Sequence, residues 1–326
     1  MDQESEDCFV KAIQALHRAC SQGGKSGGPG TSASTSTTQA TQSDALQGVA
    51  SMSSMIKITS DQMLIRPLFG TAACNLFMGR FFYDVLVESK NNNVIGLSCS
   101  LDDLWTAVKD MVTAELTVCK LAKRHGFPVL SFELQMPNSD YSVVQECPVQ
   151  VQRADELHGL DQLDLGNPEW QFKLPPVVKL KQLVEKMKHM GCDDIAIKLS
   201  HSPIAGYQPG GQSGAGAGDA PQYNMAQAEV AITVSGIHPD GEVEAVFNHN
   251  QFINPTANSA LPAPAEMVFT AKELIAAITF FHLFPGWPLY GCLDSTTWRF
   301  TIILVLNNEG NQQGSMMAYT VPGKVT

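Results

Sequence analysis

The sequence predicts an α+β fold of two tandem, similar domains, each with two helices laid on antiparallel sheets. Three observations carry this. The chain has 326 residues, 44% of them hydrophobic and only 16% charged, enough apolar material for two cores. Two helix-like segments recur at almost one spacing. "FVKAIQALHRA" (9–19) aligns with "VVKLKQLVEKM" (177–187) at an offset of 168, and "SLDDLWTAVKDM" from Ser100 aligns with "TAKELIAAITFF" from Thr270 at an offset of 170. Either match alone is weak, because amphipathic helices resemble each other; two at nearly one offset indicate a duplication. Finally, the stretches between these helices are β-rich runs separated by turn residues.

The first domain is expected over 1–150. In its first helix Ile13, Leu16 and Cys20 form the apolar side, while Lys11, Gln14 and Arg18 lie opposite, within about 60° of one another. Residues of about 21–53 hold almost nothing that builds a core and predict a disordered insertion. They carry Ser21-Gln22, Thr38-Gln39 and Thr41-Gln42, which look like phosphorylation sites of damage-response kinases, although chance in a Ser/Thr/Gln-rich tract produces the same pairs. "SMIKITSDQMLIRP", "RFFYDVLVES" and "NVIGLSC" follow as β-rich runs. Ser100 then caps the second helix with Asp103 three residues on, as Thr270 does with Glu273 in a capping box. "ELTVCKLAK" and "VLSFELQM", joined through "RHGFP", read as a hairpin, and "YSVVQECPVQV" as another strand.

The acidic segment 151–169 is the expected interdomain connector, with Leu160, Leu163 and Leu165 as its apolar residues. The second domain, 170–326, opens with the strand "EWQFKLP" and a helix over 177–191. There Val177, Leu180, Leu183, Val184, Met187 and Met190 make one face at about 100° per residue. Gln182, Glu185 and His189 point the other way, flanked by Lys179 and Lys186 on one side and Lys181 and Lys188 on the other. "DDIAIKLS", a Gly-rich insertion of about 203–224, "AEVAITVSG" and "EVEAVFNH", turning through Asp240-Gly241, come next. "AEMVF", the Thr270 helix, "WRFTIILVLNN" and "GSMMAYTVP" complete the pattern.

Little points to catalysis. The eight cysteines are scattered with no C-x-x-C pair, which suits a reducing compartment and signals neither a zinc ribbon nor a redox couple. "GGKSGG" lacks the first glycine of a phosphate-binding loop, since Ala19 occupies that position. The histidines are dispersed, Asp193 and Asp194 point to opposite faces of a strand, and Trp105 at its helical position reads as core. No cofactor, metal site or enzymatic function is expected. The acidic start "MDQESEDCF" is no secretory signal, and the most apolar run, "LIAAITFFHLF", stops at Pro285, too short to span a membrane.

The electrostatics are more telling. The formal net charge is −11, so affinity for a polyanion must come from a local basic surface. Lys179, Lys181, Lys186 and Lys188 are the densest cationic group. A solvated surface helix would look the same. Yet the stripe Lys11, Gln14, Arg18 falls on Lys179, Gln182, Lys186 across the duplication.

These residues resemble the sliding DNA clamp family, above all the Hus (hydroxyurea-sensitive) subunits of the nine-one-one checkpoint clamp. "LPPVVKLKQLVEKMK" is similar to their leucine-proline-led helix ending in V-E-K-M-K. "HGFPVLSFEL" with "ECPVQVQRADEL" is similar to their strand pair and connector entry, and "AYTVPGKV" to their aromatic-x-x-Pro ending. The likeness is good over roughly 55–200. It implies a non-catalytic subunit of a nuclear, ring-shaped heterotrimer, with helices lining a central hole that double-stranded DNA threads. The implied partners are two other checkpoint clamp subunits, a clamp loader and repair proteins. The DNA-facing residues implied are Lys11, Gln14, Arg18, Lys179, Lys181, Gln182, Lys186 and Lys188, with Lys109, among acidic neighbours, a weaker contact. Leu160, Leu163, Leu165, Tyr319 and Pro322 would border a pocket for partner peptides. One departure stands out. Clamps have a strand before the first helix, where this chain has only "MDQESED", so either the chain is incomplete at its start or the subunit lacks that strand. A homotrimeric replication clamp and a β-rich interaction scaffold that never touches DNA remain the alternatives.

Overall fold

The computed structural model describes residues 3–23, 53–68, 71–139, 141–157, 160, 168–201, 229–251, 253, 265–306 and 315–324. Most of the 21–53 insertion and all of the 203–224 insertion therefore lie outside the described residues. The chain divides into two units, 1–164 with 305–319 and 165–304 with 320–326. The division falls inside the 151–169 segment. The return of 305–319 to the first unit departs from two contiguous domains, because Met316 to Tyr319 pair with Asn75 to Ala72.

In the first unit, helix α1 (Gln3–Gly23) buries Phe9, Ile13 and Leu16. It starts before "FVKAIQALHRA", since Glu6 and Asp7 sit toward the positive end of its dipole, where carboxylates stabilise a helix. It also takes in residues 21–23, the expected start of the loop. Strands β1 (Ser53–Ile58) and β2 (Gln62–Pro67) form a hairpin. Thr59 Oγ1 holds its turn by accepting from the Asp61 and Gln62 amides at 3.3 and 3.0 Å. β3 (Ala72–Phe77) pairs with β2, and β4 (Ile95–Ser100) with β1. "RFFYDVLVES" is not a ladder strand: a helical turn, Met78–Phe81, runs into an irregular extended stretch. Asp84 has a φ of 52°, which breaks any β run, and Phe82 meets the Phe9 ring edge-on at 5.6 Å instead.

Ser100 caps α2 (Leu101–Val108) by accepting from the Asp102 amide, one residue earlier than the expected Asp103. β5 (Leu116–Arg124) and β6 (Phe127–Gln135) form a hairpin whose two turn residues, His125 and Gly126, take φ of 48° and 91°. Positive φ at both matches the right-handed strand twist. β7 (Ser142–Pro148) pairs with β6, and β8 (Gln150–Gln152) with β4. The unit thus holds a β8-β4-β1-β2-β3 sheet and a β5-β6-β7 sheet.

The second unit repeats this plan. β9 (Trp170–Lys173) leads through Pro175-Pro176 into α3 (Val177–His189). α3 ends in a Schellman motif: Gly191, at φ 90°, donates to the Lys188 carbonyl, and Cys192 to that of Met187. Val177, Leu180, Val184 and Met187 are buried, but Leu183 is only half-buried. Met190 is exposed because it caps the helix rather than continuing its face. β10 (Asp194–His201), β11 (Glu229–His238), β12 (Gly241–Gln251) and β13 (Ala265–Thr270) form a sheet ordered β12-β11-β10-β13. His238 pairs with Gly241, so the β11–β12 turn runs through Pro239-Asp240 rather than Asp240-Gly241. Thr270 caps α4 (Ala271–Phe280), taking the Glu273 amide at 3.2 Å and donating to its carboxylate at 2.6 Å. β14 (Leu289–Asp294) pairs with β9 and with β15 (Arg299–Val305). The last residues of β16 (Met316–Pro322) follow, with Thr301 and Thr320 hydroxyls 3.0 Å apart.

The repeat is legible strand by strand: β3-β2-β1-β4 mirrors β12-β11-β10-β13, and β5-β6-β7 mirrors β14-β15-β16. The bridge of Lys324 to Val268 on β13 repeats β8 on β4. β9 has no counterpart among the described residues of the first unit.

Buried Asp294 organises the β14–β15 turn. Its Oδ1 accepts from the Thr296 amide and hydroxyl at 2.9 and 2.5 Å and from the Thr297 amide at 3.1 Å. Burial alone would raise its pKa, but these bonds outweigh it and hold the carboxyl below its ordinary value. A depressed folded pKa contributes stability that is present above the unfolded pKa, near 4, and lost as pH falls through the folded one. Asp294→Asn is therefore expected to lower the urea midpoint at pH 7, by about 1–3 kcal/mol in stability. The gap to the parent chain should narrow as the pH is taken below 4.

Candidate nucleic-acid interface

Each helix pair buries one side on its sheet and leaves the other in solvent. On α3, Lys179, Gln182, Lys186, Lys188 and His189 are exposed. Lys181 is half-buried and lies 3.8 Å from Glu185, one turn on. Lys186, Lys188 and His189 occupy the last turn, where the helix dipole favours cations. α4, packed beside α3, exposes Lys272 and Glu273 in its first turn. Sequence reasoning passes over Lys272; its place in the first turn of a Thr-capped helix is the signal that could have found it.

The first unit presents the same shape with different charge. Asp7, Lys11, Gln14, Arg18 and Ser21 follow one another along the outer side of α1. Lys11 and Asp7 are ion-paired at 2.5 Å, with both side chains about 40% exposed. Arg18 is exposed, and the Ser21 hydroxyl is bonded back to the His17 carbonyl at 3.0 Å. His17 bonds Asp102 at 2.6 Å and stacks on half-buried Trp105, with ring centroids 6.2 Å apart, tying α1 to α2. α2 exposes Asp102, Asp103, Lys109 and Asp110. Four carboxylates thus offset Lys11, Arg18 and Lys109, whereas Glu185 and Glu273 oppose five lysines on the second unit's helices. The duplicated stripe is equal in sequence and unequal in field.

The connector differs from expectation. β8 and the following turn Ala154–Leu157 are built into the first unit. Leu157 and Leu160 are buried with Met55 and Leu64, against Val94. A Cβ at Gly96 would lie 2.5 Å from a Leu157 methyl, so glycine is what lets the connector seat on β4. Leu160 is accordingly an anchor, 8% exposed, and not the wall of an open pocket. It pins the connector to the first unit. Leu163 and Leu165 lie outside the described residues. Tyr319 is half-buried in the first unit's share of β16; Pro322, in the second unit's share, is exposed.

Among the described residues no group of His, Cys, Asp and Glu could hold a metal, and no helix is long and apolar enough to cross a membrane. Burial pushes the thiols of Cys20 and Cys292 up to about 11 and that of Cys119 to about 12, far from a reactive thiolate.

Residues 68–209 match the family of Hus1-like proteins. The checkpoint protein HUS1 of Homo sapiens is 30% identical over 122 residues, 36% of this chain and 43% of that protein. A checkpoint protein hus1 homolog of Dictyostelium discoideum is 23% identical over 131 residues, 39% of this chain and 48% of that one. The aligned stretches thus span less than half the length of these relatives. Over almost the whole length, 98% of this chain and 97% of the other, the fold is that of a chain in the PCNA2–PCNA3 complex of Sulfolobus tokodaii, with a TM-score of 0.53 at 11% identity. The fold is therefore that of the sliding clamps, and residues 68–209 are similar to the family of Hus1-like proteins.

The anchor gives a direct expectation. Leu157→Ala should cost about 2–5 kcal/mol and open the connector to proteases within 153–169. Gly96→Val should produce the same cleavage pattern by displacing Leu157, measured by limited proteolysis and mass spectrometry of the fragments.

Proposed function

We propose that this chain is a non-catalytic subunit of a ring-shaped, heterotrimeric clamp that encircles double-stranded DNA in the nucleus during damage checkpoint signalling and repair. The observation that carries this is the exposed cationic surface of α3 and α4 on a chain whose net charge is −11. Its fold and its Hus1-like stretch support the reading, since clamp relatives supply the precedent of ring assembly. The two ring partners, and the loader and repair proteins that the ring would meet, belong to the proposal. So does the pocket for partner peptides, for which Leu163, Leu165, Tyr319 and Pro322 remain the candidates.

In this reading Lys179, Gln182, Lys186 and Lys188, with Lys181 and Lys272 beside them, meet phosphates. Such contacts position the duplex without reading sequence. Lys11, Gln14 and Arg18 contribute less, because Asp7 already satisfies Lys11 and the acids of α2 repel the same backbone.

Reversal of Lys179 and Lys186 to Glu is expected to weaken DNA binding by the ring assembled with its co-purified partners, equally on every sequence. The slope of log affinity against log salt should flatten by about one unit for each phosphate that is no longer neutralised. Lys11→Glu should change it less, and Lys90→Glu, in an exposed turn outside the helices, not at all. An unchanged slope in the double reversal defeats the reading and leaves α3 a solvated surface helix. Sedimentation of the purified chain alone tests assembly: a stable homotrimer would favour a replication clamp instead.

A further inference from the structure

The two helix pairs differ most at the end of the first helix. At the repeat offset of 168 residues, Ser21 falls on His189. The last turn of α3 holds Lys186, Lys188 and His189, and that of α1 holds no base. Ser21 is exposed there, in line with Lys11, Gln14 and Arg18. Its hydroxyl donates to the carbonyls of His17 and Arg18 at 3.0 and 3.1 Å, both in its own helix. These bonds hold no other element in place, so the oxygen can be substituted without disturbing the core. Only two helical residues, Gln22 and Gly23, follow. Helix ends open at little cost, which puts a Ser-Gln pair at this place within reach of an enzyme that binds it extended.

The surroundings make this position sensitive to charge. Arg18 is exposed one turn before Ser21, at the i,i+3 spacing of neighbours on a helix. Lys11, the other cation of α1, is already paired with Asp7 at 2.5 Å. Asp102, Asp103 and Asp110 stand exposed on α2 and just beyond it, and α2 packs on α1. Lys11, Arg18 and Lys109 thus meet a larger number of carboxylates before any modification. A phosphate at Ser21 adds about −1.5 to −2 charges and three strong acceptor oxygens. It sits at the negative end of the α1 dipole, which repels it. Arg18 is the cation within one turn on the same helix, and its planar guanidinium pairs with phosphate through two parallel, charge-assisted hydrogen bonds.

We propose that Ser21 is a phosphorylation site of a kinase that selects serine followed by glutamine, and that the phosphate captures Arg18 and turns the first unit's helix pair against DNA. The γ-phosphoryl group of ATP is transferred to Ser21 Oγ: the bond from the γ-phosphorus to the bridging oxygen breaks, ADP leaves, and the hydroxyl proton passes to the kinase. The modification stands on the exposure and position of Ser21; its effect on DNA rests on the clamp reading above. The lysines of the second unit are untouched, so the phosphate weakens the grip on the duplex without abolishing it. Thr38-Gln39 and Thr41-Gln42 lie outside the described residues and serve as internal references.

The ring assembled with its co-purified partners is incubated with ATP and a Ser/Thr-Gln-directed kinase immunopurified from irradiated cells, with and without duplex DNA, and the phosphates are placed by mass spectrometry. Ser21 is expected to be phosphorylated, Gln22→Ala to lose that site alone, and DNA to slow the reaction at Ser21 several-fold relative to Thr38 and Thr41. DNA affinity of the phosphorylated ring should fall about threefold or more at physiological salt, with the salt slope flattened by up to about one unit. Ser21→Ala should bind DNA as the parent ring does and keep that affinity after kinase treatment. Reactivity of Arg18 toward phenylglyoxal, read without DNA, should drop several-fold on phosphorylation and stay unchanged in treated Ser21→Ala. An unmodified Ser21, or a phosphate that leaves Arg18 as reactive as before, overturns the proposal. So does a Ser21 phosphate that leaves DNA affinity unchanged where reversal of Lys179 and Lys186 lowers it. If that reversal changes nothing, the clamp reading fails and takes the DNA half of the proposal with it; the reagent alone then decides the capture of Arg18.

Discussion

The constraint on which the structure depends is that each helix has one apolar side and an antiparallel sheet to bury it on. Phe9, Ile13 and Leu16 of α1, and Leu180, Val184 and Met187 of α3, are removed from water by the strands beneath them. Once that side is used, the opposite side has nowhere to go but solvent. The outward display of Arg18, Lys179 and Lys186 therefore follows from core burial. Selection on those positions is left free to set charge, because exposed substitutions change stability by only about 0.5 kcal/mol.

That freedom has been used differently in the two halves. The scaffold is duplicated strand by strand, down to the Ser100 and Thr270 caps, but the field is not. In the first unit Asp7 engages Lys11, and α2 adds the exposed carboxylates Asp102, Asp103 and Asp110, so much of the positive charge is already answered by neighbours. In the second, Lys181 has a distant partner in Glu185, and the end of α3 gathers cations where the helix dipole accepts them. A duplicated fold can thus present an asymmetric potential without any change in backbone plan.

The sheet edges carry the second asymmetry. Pairing of β9 with β14 buries two aromatics and satisfies a row of main-chain groups. The equivalent edge, at β5, leaves leucine and valine in water beside a groove. Natural sheets blunt such edges with charge, and β5 does so only from its middle onward, through Lys120, Lys123 and Arg124. The half nearer α2, with Leu116 and Val118, stays apolar.

Much of this was legible in the sequence. The 3.6-residue period of 177–187, the Thr270–Glu273 capping box, the Pro175-Pro176 entry to α3 and the recurrence near 168–170 residues are local signals, set by propensity and spacing. They determined the helices, most strands, the duplication and the polar side of each helix. What only the tertiary structure decided depends on partners distant in the chain. Leu160 reads as an ambiguous connector leucine until Met55 and Leu64, about a hundred residues earlier, enclose it. "RFFYDVLVES" alternates like a strand, yet Asp84 at positive φ and the pull of Phe82 toward Phe9 keep it out of a ladder. The unequal charge of the two helix pairs required knowing that α2 packs on α1, which brings Asp102 to His17 across 85 residues of sequence. Periodicity reports which side of an element is buried; it carries no information about which other element does the burying.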